Sequence, residues 1–391
     1  HLDDLKALSR ADASTVTWET DTAGNRIAVI SEVLPVGIQQ TVKTVVNGEN
    51  TEKVYGKVTV QSATDVNSGV LNDVYLEGRG EKDIANTIVN AGNVTNDIFI
   101  GKLLSEDGDV RLSSLGGIIN SAGADQIAIK ANNLIVSAAN GSIGNVGNKL
   151  TMLLDGTSNS KAGTLSAVAS GGIYIDQVSD DTDYHLWVKN MSSGGDIDLS
   201  SGKSIFMDIV NDTDATNYIR AENNGYIKLE ARDGSLGQLS NDTAGRDTNN
   251  GIRILNSAGT ATSADDDRVT VVTLKASEDV YVTGVASSDG KTAVKAGPAG
   301  VLNLVVESNN ANNKLSDIGI SVDGKLNLLS NLNSTDDISV YTSDALTIDE
   351  KVHADDVYIA SGKDLNINTG ADIFGTDKVE LATKNEGSIT V

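Results

Sequence analysis

Residues able to do chemistry are few in type and scattered in place. The chain has three histidines, His1, His185 and His353, and no cysteine. No two of these histidines stand at a metal-ligand spacing, so neither a structural nor a catalytic zinc site is expected. Each reads as a lone residue on a turn or an outer face. Carboxylates are plentiful. SDDTDYHLW carries Asp180, Asp181 and Asp183; NDTDATN carries Asp212 and Asp214; SADDDRV carries Asp265, Asp266 and Asp267; SEDGDVR carries Asp107 and Asp109. Calcium takes six to eight oxygen ligands, and Asp-rich turns offer some of them. None of these runs matches the EF-hand loop or the tandem turns of calcium-binding β-rolls. They read as solvated turn tips. No cofactor is expected, and calcium is the one ion the runs would suit.

Catalysis finds no better footing. Polysaccharide-processing enzymes use paired carboxylates, and their clefts add aromatic platforms and clustered basic residues. Here Trp18 and Trp187 lie far apart and the basic residues are dispersed. The G-x-S-x-G elbow, the phosphate loop and the dinucleotide fingerprint are all missing. No catalytic, cofactor-binding or metal residue is therefore assigned, and the expectation is a protein that is not an enzyme.

The most distinctive stretch is instead GSIGNVGNKL, Gly141 to Leu150. Its core recurs as GSLG at Gly234 to Gly237. No helical pattern follows either copy, so neither is expected to cradle phosphate. Both read as tight corners. The expectation is that Ile143, Val146 and Leu150 fill a thin aliphatic core and that Asn145 or Asn148 lies in a turn.

Composition narrows what must hold such corners. Of 391 residues, 39% are hydrophobic but only 4% aromatic, with 3 Phe, 2 Trp and 3 Met. The core must be built from Val, Ile, Leu and Ala, which suit thin, regular layers. With 39 Gly and 2 Pro, turns must rely on Gly, Asn, Asp and Ser. A net charge of −24 repels phosphate backbones and anionic lipid, so nucleic acid is excluded as a partner. Apolar runs fall far short of the ~20 residues that span a bilayer, so no membrane insertion is expected.

Short β patterns dominate from about Arg26 onward, as in RIAVIS, QIAIKA and NLIVSA. Each alternates apolar and polar residues and is bounded by Gly, Asn, Asp or Ser. Only LDDLKALS, near the amino terminus, permits a helical turn or two. A unit Asp–[Val/Ile]–x–aliphatic recurs as DVYLEG (Asp73), DVRLSS (Asp109), DIDLSS (Asp196), DVYVTG (Asp279) and DVYIAS (Asp356). LIVSAANGSIG, from Leu134, also lines up with IKLEARDGSLG, from Ile227. In the carboxy-terminal third, strand centres pair about 20 residues apart: Asn327 with Thr347, Thr347 with Asn366, Ser339 with Tyr358. Two or three short strands per ~20 residues is what a parallel β-helix needs, each coil lying on the last at ~4.8 Å. A string of β-sandwiches is the rival. The 93-residue offset between GSIG and GSLG would suit it; against it, the Asp–[Val/Ile] units lie 36, 87, 83 and 77 residues apart, which fits no fixed domain length. Coils of ~20 residues with loop insertions absorb those intervals.

The run DIFIGKLLSEDGDVRLSSLGGIINSAG…NLIVSAANGSIGNVGNKL (Asp97 to Leu150) resembles filamentous-haemagglutinin-like exoproteins, and within them leukotoxin-type filamentous adhesins. The same style continues through SGGIYI, GDIDLSSGKSI, GYIKLEARDGSLG and DVYIASGKDLNI. The resemblance covers roughly residues 70 to 391. It implies an all-β, right-handed parallel β-helix on the bacterial cell surface or in the medium. It further implies adhesion to a host-cell or matrix surface, or end-to-end contact with copies of the same chain. The expected organisation is a less regular amino-terminal segment, 1–65, and a β-helical shaft, 66–391. A start at His1 with no recognisable secretion domain suggests a fragment of something longer.

Overall fold

A computed structural model describes the strands between residues 14 and 78 as backbone. It then describes residues 97–105, 109–114, 116–122, 126–154, 163–178, 184–208, 217–222, 225–237, 251–256, 271–283, 301–384 and 386–391. The helical turn expected in LDDLKALS lies outside these residues. All elements among them are strands. The chain divides into two compact units, His1–Asp180 and Asp181–Val391.

In the first unit, strand Leu134–Ala138 lies between Val110–Ser114 and Thr164–Ala169, parallel to both. The register stacks Val110, Leu134 and Leu165 in one column and Leu112, Val136 and Ala167 in the next. All six are buried. The intervening residues point outward, as the two-residue period of a strand dictates. A second ladder stacks Leu103, Ile129 and Met152. A third is made of single bridges, Ile118 to Ile143 to Ile173. Nearer the amino terminus antiparallel pairs occur as well, Ser14–Thr20 with Arg26–Glu32 and Gln39–Val46 with Glu49–Val54.

The second unit repeats the scheme with longer columns. One runs Leu302, Leu326, Leu346, Leu365, Ile389. Another runs Val282, Ile320, Val340, Ile359, Leu381. A third ladder carries Leu332, Val352 and Ile373. The fold is a parallel β-helix. Burying one Val, Leu or Ile is worth about 1.5–3 kcal/mol, and each column position repeats that gain. No aromatic residue is needed where like aliphatics stack on like.

The three pairs expected from the ~20-residue period are direct register partners: Asn327 with Thr347, Thr347 with Asn366, and Ser339 with Tyr358. Upstream rungs are longer: Ile227 pairs with Val272, 45 residues on, and Ile219 with Ile254, 35 residues on.

Two polar devices fix the corners. At strand ends a buried Ser or Thr turns its hydroxyl onto the corner that follows. Ser114 donates to the Gly117 carbonyl at 3.1 Å, Ser193 to Asp196 at 3.1 Å, Thr342 to Asp344 at 2.9 Å and Ser361 to Lys363 at 2.7 Å. Before strands, an Asp or Asn accepts from the next rung. Asp109 accepts from the Asn133 side chain at 2.7 Å, and Asn133 accepts from the Thr164 backbone N–H at 2.9 Å. Asp196 accepts from the Tyr226 N–H at 3.0 Å, Asn331 from the Lys351 N–H at 3.0 Å and Asp364 from the Ser388 N–H at 2.9 Å. In the recurring Asp–[Val/Ile] units at Asp109, Asp196 and Asp279, the Asp is thus a rung-to-rung staple.

The glycine units are corners, as expected. Ile143 and Leu236 are fully buried, and Leu236 bridges Ile205 and Val280 as Ile143 bridges Ile118 and Ile173. Gly144 and Gly237 follow at φ +64° and +76°, a left-handed conformation that glycine adopts without strain. A Cβ on Gly141 would stand 2.5 Å from the Gly117 backbone nitrogen, so glycine stacks on glycine here. Asn145 and Asn148 exchange backbone hydrogen bonds at 3.1 Å around a two-residue turn. One expectation fails. Leu150 is buried, but Val146 is 68% exposed, because it sits at the tip of that turn and not on a strand.

Candidate functional site

The outer face of the second unit brings together residues that sequence spacing keeps apart. Strands Val280–Thr283, Ile318–Val322, Asp337–Thr342 and Lys351–Ser361 run side by side. Their aliphatic residues face inward. Outward, one row reads Tyr281, Gly319, Ser339, Tyr358, and the next contains Ser321 and Tyr341. A groove of about 400 Å³ opens on this face. Tyr281 and Tyr341 wall it, Gly319, Ser321 and Ser339 line it, and Asp317 and Asp337 mark its edge.

Tyr281 is held from two sides. Its hydroxyl donates to Asp317 Oδ2 at 3.0 Å. Its ring covers Gly319, where an added Cβ would come within 2.6 Å of Cδ1. Burial and the charge of Asp317 raise its phenol pKa. On Tyr341, the ammonium of Lys384 already rests 4.5 Å from the ring centroid.

The edge of the groove is a column of carboxylates. Asp279, Asp317, Asp337 and Asp356 each precede an inward residue at one register position of successive strands, and Lys378 follows in the same register. Asp279 Oδ1 accepts from the Asp317 N–H at 3.2 Å, and Asp317 Oδ1 from the Asp337 N–H at 3.0 Å. The stacking concentrates like charge. Burial raises the Asp279 pKa, and the charges of Asp317 and Glu278 add to it against hydrogen bonds from Asp317 and Ser235. Asp337 is raised by desolvation and by Asp336, Asp317, Asp356 and Asp355. Lys378 does little to offset this, since it pairs with Glu380 at 2.6 Å.

Oxygens of Asp317, Asp336 and Asp337 lie within 4.8 Å of one another, the one such group among the described residues. Three carboxylates are a partial set for calcium, which takes six to eight oxygens. Exposed acidic groups commonly stand without an ion, so no metal is assigned to them.

The residues singled out in the sequence are distributed otherwise. Asp107, Asp180, Asp181, Asp183, Asp212, Asp214 and Asp265 to Asp267 lie outside the described residues, as does His1. Asp109 is a staple. His185 packs on Phe206, ring centroids 5.2 Å apart, and Trp187 lies buried against the same ring. His353 meets Asp372 at 2.9 Å. The aromatic wall is built from tyrosines and uses neither tryptophan. Of its two tyrosines only Tyr281 falls in a recurring unit, DVYVTG; Tyr341 stands in DISVYT, and the strand register is what brings the two onto one face.

No protein-family model, no curated protein and no solved structure matches this chain. The fold class is the firm identification: a parallel β-helix protein. No helix among the described residues is long and apolar enough to cross a membrane.

Proposed function

We propose that this chain is a structural and adhesive segment of an extracellular bacterial protein. In this reading it is a stiff β-helical shaft whose outer faces carry binding surfaces. The observation that carries it is the use of polar residues. Asp and Asn before strands hold rung to rung, and Ser and Thr at strand ends hold the corners that follow. The resemblance of the repeat units to filamentous-haemagglutinin-like exoproteins supports the extracellular, cell-surface placement. The same staples argue against catalysis, because the Asp279 and Asp317 carboxylates are engaged in backbone contacts. The test is binding of the purified soluble chain to cell monolayers and matrix-coated surfaces. Saturable binding that unlabelled chain competes away is expected. Linear, non-competable adsorption on every surface would contradict the reading.

A second reading, a self-assembling filament subunit, has its own observation. Strand Asp372–Thr383 pairs on one side with Lys351–Ser361. Its inward residue Val379 is 44% exposed, and Ile389 at the end of the leucine column is 43% exposed. A parallel edge of this kind can accept a further rung, from the same chain or from another copy. Sedimentation across a concentration series distinguishes the readings: growing assemblies favour the filament, and a constant sedimentation coefficient favours the adhesive shaft.

A further inference from the structure

We infer that the Tyr281–Tyr341 groove is a docking site for a basic segment of a protein partner, and that it takes a lysine or arginine side chain between the tyrosine rings and the Asp317–Asp337 edge. The inference rests on the adhesive reading and gives it a ligand chemistry.

The walls come first. A tyrosine face attracts a cation through its quadrupole, by about 0.5–2 kcal/mol depending on desolvation. Tyr281 is held by Asp317 and by its seat over Gly319, so its ring needs little ordering on binding. Tyr341 already takes an ammonium, that of Lys384, at 4.5 Å. The floor beside the Tyr281 ring is small, with Ser321 and Ser339, while the ring itself fills the space over Gly319. A volume of about 400 Å³ is in the range of small-ligand sites.

The edge decides the sign of the ligand. Asp317 and Asp337 line the groove, with Asp336, Asp355 and Asp356 close enough to Asp337 to act on its ionisation. Lys378, the one cation in register with the column, is paired elsewhere. An anionic group would meet this edge unfavourably. A neutral sugar could stack on the rings and would leave the repulsion among the carboxylates unrelieved. A guanidinium or ammonium does both at once. Arginine fits best, since its planar fork stacks on a ring while it donates to a carboxylate.

The test is calorimetric titration of the full chain with a capped hexa-arginine peptide, at about 0.15 M salt so that long-range attraction is screened. Four variants are compared. Tyr341→Leu keeps the net charge and removes a wall, Tyr341→Phe keeps the ring, Asp337→Asn removes one edge charge, and Asp349→Asn removes one charge away from the groove. The expected result is affinity about 3- to 30-fold weaker for Tyr341→Leu and Asp337→Asn, with Tyr341→Phe and Asp349→Asn close to the parent. Circular dichroism melts check that each variant is folded. Equal weakening by Asp337→Asn and Asp349→Asn with no effect of Tyr341→Leu would overturn the inference and mark the binding as general polyelectrolyte attraction. A neutral oligosaccharide that binds in a Tyr341-dependent manner while the peptide does not would overturn it in favour of a glycan. Surface attachment without any peptide binding would sink this inference and leave the adhesive reading standing.

Discussion

The carboxylate of Asp317 holds two rungs of the β-helix to its own. Its Oδ1 accepts the backbone N–H of Asp337, 20 residues onward, at 3.0 Å. Its Oδ2 accepts the hydroxyl of Tyr281, 36 residues back, at 3.0 Å. One side chain thereby joins the fold to the groove. Asp317→Asn keeps an acceptor for the Asp337 N–H and removes one charge from a crowded column. Asp317→Ala removes the acceptor of both bonds, at a cost of about 0.5–1.5 kcal/mol. Denaturant unfolding of the two variants should place Asn near the parent and Ala well below it. Equal loss for both would show that charge, and not the staple, is what matters.

The same column predicts how stability responds to acid. Asp279 and Asp337 have pKa values raised above the ordinary 3.8, so they bind protons more tightly folded than unfolded. Their ionisation opposes folding at neutral pH, and that opposition is relieved as pH falls through their raised values. Asp344 and Asp364 are lowered, by hydrogen bonds from Lys363 and from Ser388 respectively. Their contribution is present above 3.8 and is lost as pH falls through the lowered values. The melting temperature should therefore rise on mild acidification and fall in stronger acid. A double variant Asp279→Asn/Asp337→Asn should show a smaller rise. An unchanged rise in that variant would assign the effect to the net charge of −24 alone.

The glycine corner gives a graded series. Ile143→Ala empties a fully buried position bridged on both sides and should cost about 2–5 kcal/mol. Gly144→Ala places a Cβ 2.3 Å from the Tyr174 carbonyl oxygen at φ +64°, so it should be at least as damaging as a typical strained backbone site, about 1–3 kcal/mol. Val146→Ser, at an exposed turn tip, should fall within about 0.5 kcal/mol of the parent. Thermal melts of the three variants give the order directly. A large loss from Val146→Ser would mean that this turn is covered in solution.

The corner hydroxyls make a separate claim. Ser361 is fully buried, and its hydroxyl donates to the Lys363 carbonyl at 2.7 Å. Ser361→Ala should cost about 0.5–1.5 kcal/mol, and Ser361→Thr should recover part of it if the extra methyl is accommodated. A neutral Ser361→Ala would remove the staple from the account of corner formation.

Much of the fold was legible because inward columns impose a two-residue alternation and short rungs impose a period. Thr347 could be paired with Asn366 from spacing alone, because no loop intervenes between their rungs. Where rungs are longer, spacing fails: nothing in the sequence aligns Ile227 with Val272, 45 residues apart. Val146 was misplaced because a valine in a glycine-rich run carries no sign of whether it is on a strand or a turn tip. Single Asp and Ser residues read as turn formers, and their partners one rung away stayed hidden until the register was known. The groove was hardest. Tyr281 and Tyr341 lie 60 residues apart, and they meet on one face only because the one strand between theirs, Ile318–Val322, fixes the stacking.

Register is therefore the claim on which staples, corners and groove all depend, and the absence of native cysteine makes it directly testable. Asn327 and Thr347 are parallel partners on neighbouring strands. Cysteines at both positions should stand within disulfide range, about 4.4–6.8 Å between Cα atoms. The variant Asn327→Cys/Thr347→Cys should oxidise to an intramolecular disulfide without loss of thermal stability, while Asn327→Cys/Leu346→Cys, a one-residue slip that turns the second thiol inward, should not. Efficient cross-linking at 327 and 346 with none at 327 and 347 would contradict the stacking.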